Sequence, residues 1–212
     1  MDKPTVYLVD DDPGIRRLVA TALSRRGIAL QAFDSARAFL NDYEAGQPGC
    51  LVLDLGLPGM SGLELQQELT RNSIVIPIIF VSGQGKIAES VQAIKEGAID
   101  FLEKPFSLKD LFQRIDEAFD ADSRQRLEQA SLAAIQQRFE RLTDRETEVM
   151  QLMLTGAANA SSKEIARQLG ISHRTVDHHR TRIMEKTGAR SVTELALLAD
   201  RTEFSPRQPE TC

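Results

Sequence analysis

Along residues 1–120, short apolar runs alternate with longer segments in which apolar residues recur at helical spacing. That alternation is the pattern of a parallel sheet whose strands are buried on both faces and covered by helices. Strands are expected at 6–9, at 30–33 (a weak one), and at 50–53, 76–81 and 99–102, with helical segments between them. The punctuation agrees. Gly27 follows the first helix, Ser35 is placed to cap the second, Ser61-Gly62 opens the third, Gly97 ends the fourth and Ser107 is placed to cap the fifth. The fold class expected for 1–120 is α/β, a (βα)5 doubly wound parallel sheet.

From residue 120 to 142, DADSRQRLEQASLAAIQQRFERL contains no Pro or Gly and sets Leu127, Ser131, Ala134, Ile135, Phe139 and Leu142 at helical spacing. A linker helix over 121–141 is expected, its apolar stripe packing on either domain or on a second copy of itself. The remainder, 142–203, reads as a small all-α domain of four helices. Thr143 and Glu146 fit a capping box, Ser161 or Ser162 caps a helix ending at Gly170, Ser172 caps a third running to Thr187, and Ser191 with Glu194 repeats the box pattern. Residues 204–212, with two prolines and no apolar period, are a tail.

Composition removes several classes. At 42% hydrophobic and 27% charged, with no apolar run approaching the roughly 20 residues of a bilayer span, a membrane-spanning helix is excluded. The start MDKPTVYLVDDD lacks the positive end, apolar stretch and small-residue cleavage site of a secretory signal, so a cytoplasmic location is expected. Cys50 and Cys212 are too few for a disulfide framework and wrongly spaced for zinc. The net charge of −5 hides an asymmetry: residues 1–120 carry 12 Lys/Arg against 18 Asp/Glu, and 121–212 carry 14 against 13. Within 163–190 seven basic residues face three acidic ones, and all three histidines fall there. On charge alone this patch is equally a solvated helix face or a nucleic-acid footprint.

The acids have a predictable place. Asp10, Asp11 and Asp12 follow the first strand and Asp54 ends the third, which brings them to the carboxyl edge of the sheet where open α/β folds place ligands. Clustered carboxylates repel unless a cation compensates, and an all-oxygen set suits a hard divalent ion, magnesium or manganese. Ser82 and Lys104, at two further strand ends, add a hydroxyl and an ammonium. Metal, hydroxyl and ammonium together describe a phosphoryl site, in which a carboxylate can be the nucleophile.

The segments VDDD at 9–12, LDLGLPGMSG at 53–62, VSG at 81–83 and DFLEKPF at 100–106 resemble, in order and spacing, the receiver domain of two-component response regulators. The resemblance implies that Asp54 is the phosphoacceptor and that Asp10, Asp11, Asp54 and the backbone carbonyl of Gly56 serve the metal. It implies that Ser82 and Lys104 contact phosphoryl oxygens and that the peptide before Pro105 is cis. Asp12 is better suited to capping the first helix or facing solvent than to binding the metal. Phe101 stands at the family's aromatic switch position, although an aromatic at a strand end is also ordinary core. Lys95 and Asp100 lie on the surface that such a switch alters; they are either a pair across a dimer or two solvated charges.

Residues 163–187, KEIARQLGISHRTVDHHRTRIMEKT, set Ile165, Ala166, Leu169, Ile171, Val176 and Ile183 on one seam, as two helices joined at LGIS in a helix-turn-helix. The opposite face of the second helix carries Arg174, Thr175, Asp177, His178, Thr181 and Arg182, with Arg180 and Lys186 at its flanks. Basic side chains neutralise phosphates, and residues early in a recognition helix reach base edges. Asp177 suits either a cytosine amino group or the helix N-terminus. LTDRETEV at 142–149 together with 163–191 resembles the LuxR-type DNA-binding domain. The spacer AANASS before Lys163 is longer than that family usually has, which bears on the expected Lys163–phosphate contact. The two resemblances together are those of the NarL/FixJ class. They imply a phosphorylation-dependent transcription regulator rather than an enzyme, with a sensor histidine kinase, double-stranded promoter DNA and RNA polymerase as partners, homodimerisation on phosphorylation, and no membrane. A magnesium-dependent phosphohydrolase would use the same carboxylates, but no substrate-binding insertion or second acid accompanies them.

Overall fold

The computed structural model describes residues 3–83, 100–155 and 161–202. The chain divides into two compact units, 1–126 and 127–212.

The first unit carries strands β1 (Thr5–Val9), β2 (Ala29–Phe33), β3 (Gly49–Asp54), β4 (Ile78–Ser82) and β5 (Asp100–Glu103) in one parallel sheet of order β2-β1-β3-β4-β5. Successive side chains of a strand point to opposite faces, and both faces here are apolar. Tyr7, Val9, Leu51, Leu53 and Phe80 build one core with α2 (Ala36–Asp42) and α3 (Gly62–Arg71) through Phe39, Leu65 and Leu69. Val6, Leu8, Val52, Ile79, Val81 and Leu102 build the other with α1 (Pro13–Arg25) and α4 (Leu108–Glu140) through Val19, Leu23, Leu111 and Ile115. All five expected strands are present, in the order of a doubly wound sheet. The weak β2 signal has its cause in position, for β2 is an edge strand with mostly exposed side chains.

The start of β4 differs from expectation. Residue 76 is buried but lies before the strand, which opens at Ile78 because Pro77 has no N–H to give the ladder; its carbonyl instead accepts from Leu51 N at 2.9 Å. The helix and Gly97 expected before β5 lie outside the described residues. The helix opened by Ser107, whose hydroxyl accepts from Asp110 N at 3.1 Å, does not stop near residue 120. With no Gly or Pro in 108–140 to end it, it runs unbroken to Glu140.

In the second unit, the end of α4 contributes Ile135 and Phe139 to a core shared with α5 (Asp144–Thr155), α6 (Ser162–Leu169), α7 (His173–Thr187) and α8 (Val192–Arg201). Leu127, from the same predicted stripe, is instead 69% exposed. Thr143 and Glu146 form the capping box, each receiving the other's backbone N–H (2.8 and 3.3 Å). Ser161, Ser172 and Ser191 cap α6, α7 and α8; the Glu194 carboxylate reaches Arg190 N (2.8 Å), one residue earlier than a standard box.

Candidate functional site

The carboxyl ends of β1, β3, β4 and β5 converge. Asp10, just past β1, is 1% exposed, and Asp54, the last residue of β3, is 8% exposed. Lys104, just past β5, donates from Nζ to Asp10 Oδ2 and to Asp54 Oδ2, both at 2.7 Å. Its backbone N–H is fixed by the Ser82 carbonyl at 2.7 Å, and the Lys104–Pro105 peptide is cis. The second oxygen of Asp54 accepts from Gly56 N at 2.8 Å, and that of Asp10 from Asp12 N at 2.9 Å. Helix α3 starts directly against this strand end. A Cβ on Gly62 would lie 2.5 Å from the Asp54 carbonyl, so only glycine allows the approach.

Three carboxylates, Asp10, Asp11 and Asp54, stand against the single ammonium of Lys104. Burial, the largest influence on Asp10, raises its pKa above the ordinary value despite Lys104 and the Asp12 N–H. Burial alone would lower Lys104, but its two carboxylate partners outweigh it and the net shift is upward. Oxygens of Asp10, Asp11 and Asp54 lie within 4.8 Å of one another, with Asp11 exposed to solvent. An oxygen-only set with one solvent-facing member and surplus negative charge fits a hard divalent cation that keeps some of its waters.

The other residues of this region are placed as follows. Asp12 caps α1, accepting from Gly14 N. Ser82 is 1% exposed, at the end of β4. Phe101 is half-buried and packs against the core that holds Tyr7 and Phe80. Asp100 is engaged within the chain: Arg114 Nε lies 2.7 Å from its carboxylate, which also accepts from Phe101 N. Lys95 lies outside the described residues. One contact went unforeseen. Arg16 on α1 donates to the Asp10 carbonyl at 2.6 Å, tying that helix to the acidic strand end, and an arginine at this spacing carries no signal that separates it from a solvated charge.

In the second unit α6 and α7 form the helix-turn-helix, joined by a turn in which Gly170 has φ 65°. Ile165, Ala166, Val176 and Ile183 are buried, with Leu169 and Ile171 partly so. Lys163, Arg174, Thr175, Asp177, His178, Thr181 and Arg182 are exposed, and Arg180 is half-buried. Thr175 also shares a 2.8 Å hydroxyl contact with the cap residue Ser172, and Arg182 pairs loosely with Glu185 at 3.3 Å. Lys186 is turned inward. Its ammonium donates to Glu146 Oε2 at 2.6 Å and to the Arg141 carbonyl at 3.0 Å, so it joins α7 to α5. Ser161 fixes the start of α6, which sets Lys163 in its first turn; 156–160 lie outside the described residues.

The sequence profile described as the response regulator receiver domain matches residues 6–116, and that of bacterial regulatory proteins of the luxR family matches 140–199. The chain belongs to the response regulators, in the NarL/FixJ class. Nodulation protein W of Bradyrhizobium diazoefficiens is 39% identical over 208 residues, which span 98% of this chain and 90% of that protein. The transcriptional regulatory protein FixJ of Azorhizobium caulinodans is 35% identical over 209 residues, 97% and 96% of the two chains. Among solved structures, that of the response regulator StyR is 40% identical with a TM-score of 0.81, covering 94% of this chain and all of that one. Full-length FixJ from B. japonicum is 34% identical with a TM-score of 0.57, covering 96% and 98%. A receiver joined to a LuxR-type DNA-binding domain implies transcription regulation under the control of phosphorylation, not a classical enzyme.

Proposed function

We propose that this response regulator takes a phosphoryl group from a sensor histidine kinase onto Asp54, pairs into a homodimer, and binds promoter DNA through α7 to act on RNA polymerase in the cytoplasm. The observation that carries the reading is the double contact of Lys104 with Asp10 and Asp54, 2.7 Å each, in a chain that also presents an exposed basic helix.

An Asp54 oxygen attacks the phosphorus, the bond to the donor nitrogen breaks, and its electron pair leaves with the imidazole. Asp10, Asp11, Asp54 and the Gly56 carbonyl would hold magnesium or manganese, which when bound would supply positive charge to the phosphoryl oxygens. Lys104 is already within bonding distance of the accepting carboxylate and transfers a contact to the incoming phosphoryl group, and the Ser82 hydroxyl binds a second oxygen. Movement of Ser82 toward that oxygen draws Phe101 inward, and Pro105 holds the chain after Lys104 in place. A dimer pairing of Lys95 with Asp100 then competes with Arg114 for the Asp100 carboxylate. On DNA, Lys163, Arg174, Arg180 and Arg182 meet phosphates while Thr175, Asp177, His178 and Thr181 stand nearest base edges. Lys186 contributes through the pose of α7.

A small-molecule phosphodonor with magnesium is expected to give an acid-stable, base-labile phosphoprotein, and Asp54→Asn to remove the label. Label that persists in the variant overturns the assignment.

A further inference from the structure

Helix α4 is held in the first unit by Leu111, Ile115 and Ala118, all fully buried, with Phe119 partly buried beside them. One turn further on, the attachment changes from apolar to polar. Asp122, 5% exposed, accepts from Gly49 N at 3.1 Å and from Arg126 Nε at 2.7 Å. The Arg126 guanidinium also donates from Nη1 to the Gly46 carbonyl at 2.6 Å and from Nη2 to the Gln47 carbonyl. Three nitrogens of one planar fork therefore bind three fixed oxygens, a geometry that lysine has no means of reproducing.

The C-terminal end of the loop that receives this clasp is tied to β1. Thr5 N bonds the Pro48 carbonyl at 3.0 Å, and a Cβ on Gly49 would lie 2.1 Å from the Thr5 carbonyl. Gly49 opens β3, the strand that ends at Asp54. A buried carboxylate is costly unless several partners satisfy it, and among the described residues its hydrogen-bond partners are Arg126 of the clasp and Gly49 of β3. Immediately beyond it, residues 127–131 are exposed.

We propose that the Asp122–Arg126 clasp is the last fixed point of helix α4 on the receiver, and that it carries the receiver's phosphorylation state into residues 127–140. The clasp makes residues 119–126 part of the rigid receiver, so a change in the sheet moves the helix instead of being lost in fraying. The transmission step rests on the function proposed above, whereas the mechanical step does not.

The test uses the full-length protein with Arg126→Lys and Arg126→Met. Arg126→Lys keeps a cation for Asp122, so folding is preserved while the fork is lost. Amide hydrogen exchange is expected to accelerate about tenfold at 119–126 and at Gly49 in both variants, with β1 and the second unit unchanged. Labelling of Asp54 by a phosphodonor stays at the wild-type level, while the ratio of DNA affinities with and without phosphodonor falls toward one. Unchanged exchange at 119–126 overturns the fixed point; faster exchange with an unchanged affinity ratio overturns the transmission. A wild-type protein whose DNA affinity ignores phosphodonor contradicts the proposed function instead, and the exchange arm still decides the clasp.

Discussion

Asp10, Asp54, Ser82 and Lys104 come from four strand ends, the first and last 94 positions apart, and share the carboxyl edge of the sheet, the first three of them buried. Arg174, Thr175, Asp177, His178, Thr181 and Arg182 lie within one helix and face solvent. The acidic site is preorganised by the sheet, and each of its groups already holds a partner. The basic face is held in place by the buried side of α7, and its polar groups face solvent with local partners within the helix and its cap, such as Ser172 for Thr175 and Glu185 for Arg182. A change in the first region is therefore expected to act on chemistry all at once, while a change on the second face is expected to act in graded, separable steps.

The largest predicted effect on phosphorylation is in the acidic site. Lys104→Met leaves the Asp10 and Asp54 carboxylates without their shared cation, and phosphodonor labelling is expected to fall at least about tenfold with the fold retained. A near-normal labelling rate removes Lys104 from the phosphoryl contacts.

In the second unit, the buried side of α7 is expected to matter more than its exposed side. Ile183, fully buried, leaves a cavity on truncation, so Ile183→Ala is expected to cost about 2–5 kcal/mol in urea unfolding of that unit. A cost below about 1 kcal/mol contradicts the packing described.

Glu146 sharpens the contrast through pH. Burial is the largest single influence and would raise its carboxyl, but Lys186 and the Thr143 donors together bring it below the ordinary value. Its folded pKa lies under its unfolded one, so the stability it confers is present above the unfolded value and is lost as pH falls through the folded value. Unfolding midpoints of the second unit are expected to drop in that acid range, and Glu146→Gln to flatten the dependence. An unaltered pH profile in the variant contradicts the pair.

The smallest effect is expected on the exposed face. Arg182→Ala is predicted to weaken binding to all DNA sequences by about 1 kcal/mol and to reduce the salt slope by about one. Loss confined to one sequence would make Arg182 a base reader instead.

The same contrast explains what was legible in the sequence. Strands β1 and β3 and the serine caps were readable because buried runs and capping residues are local patterns. The acids, Ser82 and Lys104 were readable because strand ends share an edge in a parallel sheet, whatever their separation. Long-range polar pairs were not. Lys186 sits at helical spacing with the exposed face of α7, and only the fold brings Glu146 to it from 40 positions away. Asp122 and Arg126 look like an ordinary solvated i, i+4 pair, and the Gly49 amide that buries Asp122 lies 73 positions away. Leu127 failed in the opposite sense, since helical spacing marks a face of a helix without showing that anything covers it.

The claim that joins the two regions is that the state of Asp54 governs DNA binding by α7. Its most direct measurement is selection of bound genomic DNA by wild-type protein and by Asp54→Asn, each with and without phosphodonor at one fixed salt concentration. Wild-type protein is expected to enrich a discrete set of two-half-site sequences only with phosphodonor, and the variant to enrich none in either condition. Equal enrichment by both proteins, with or without phosphodonor, would contradict it.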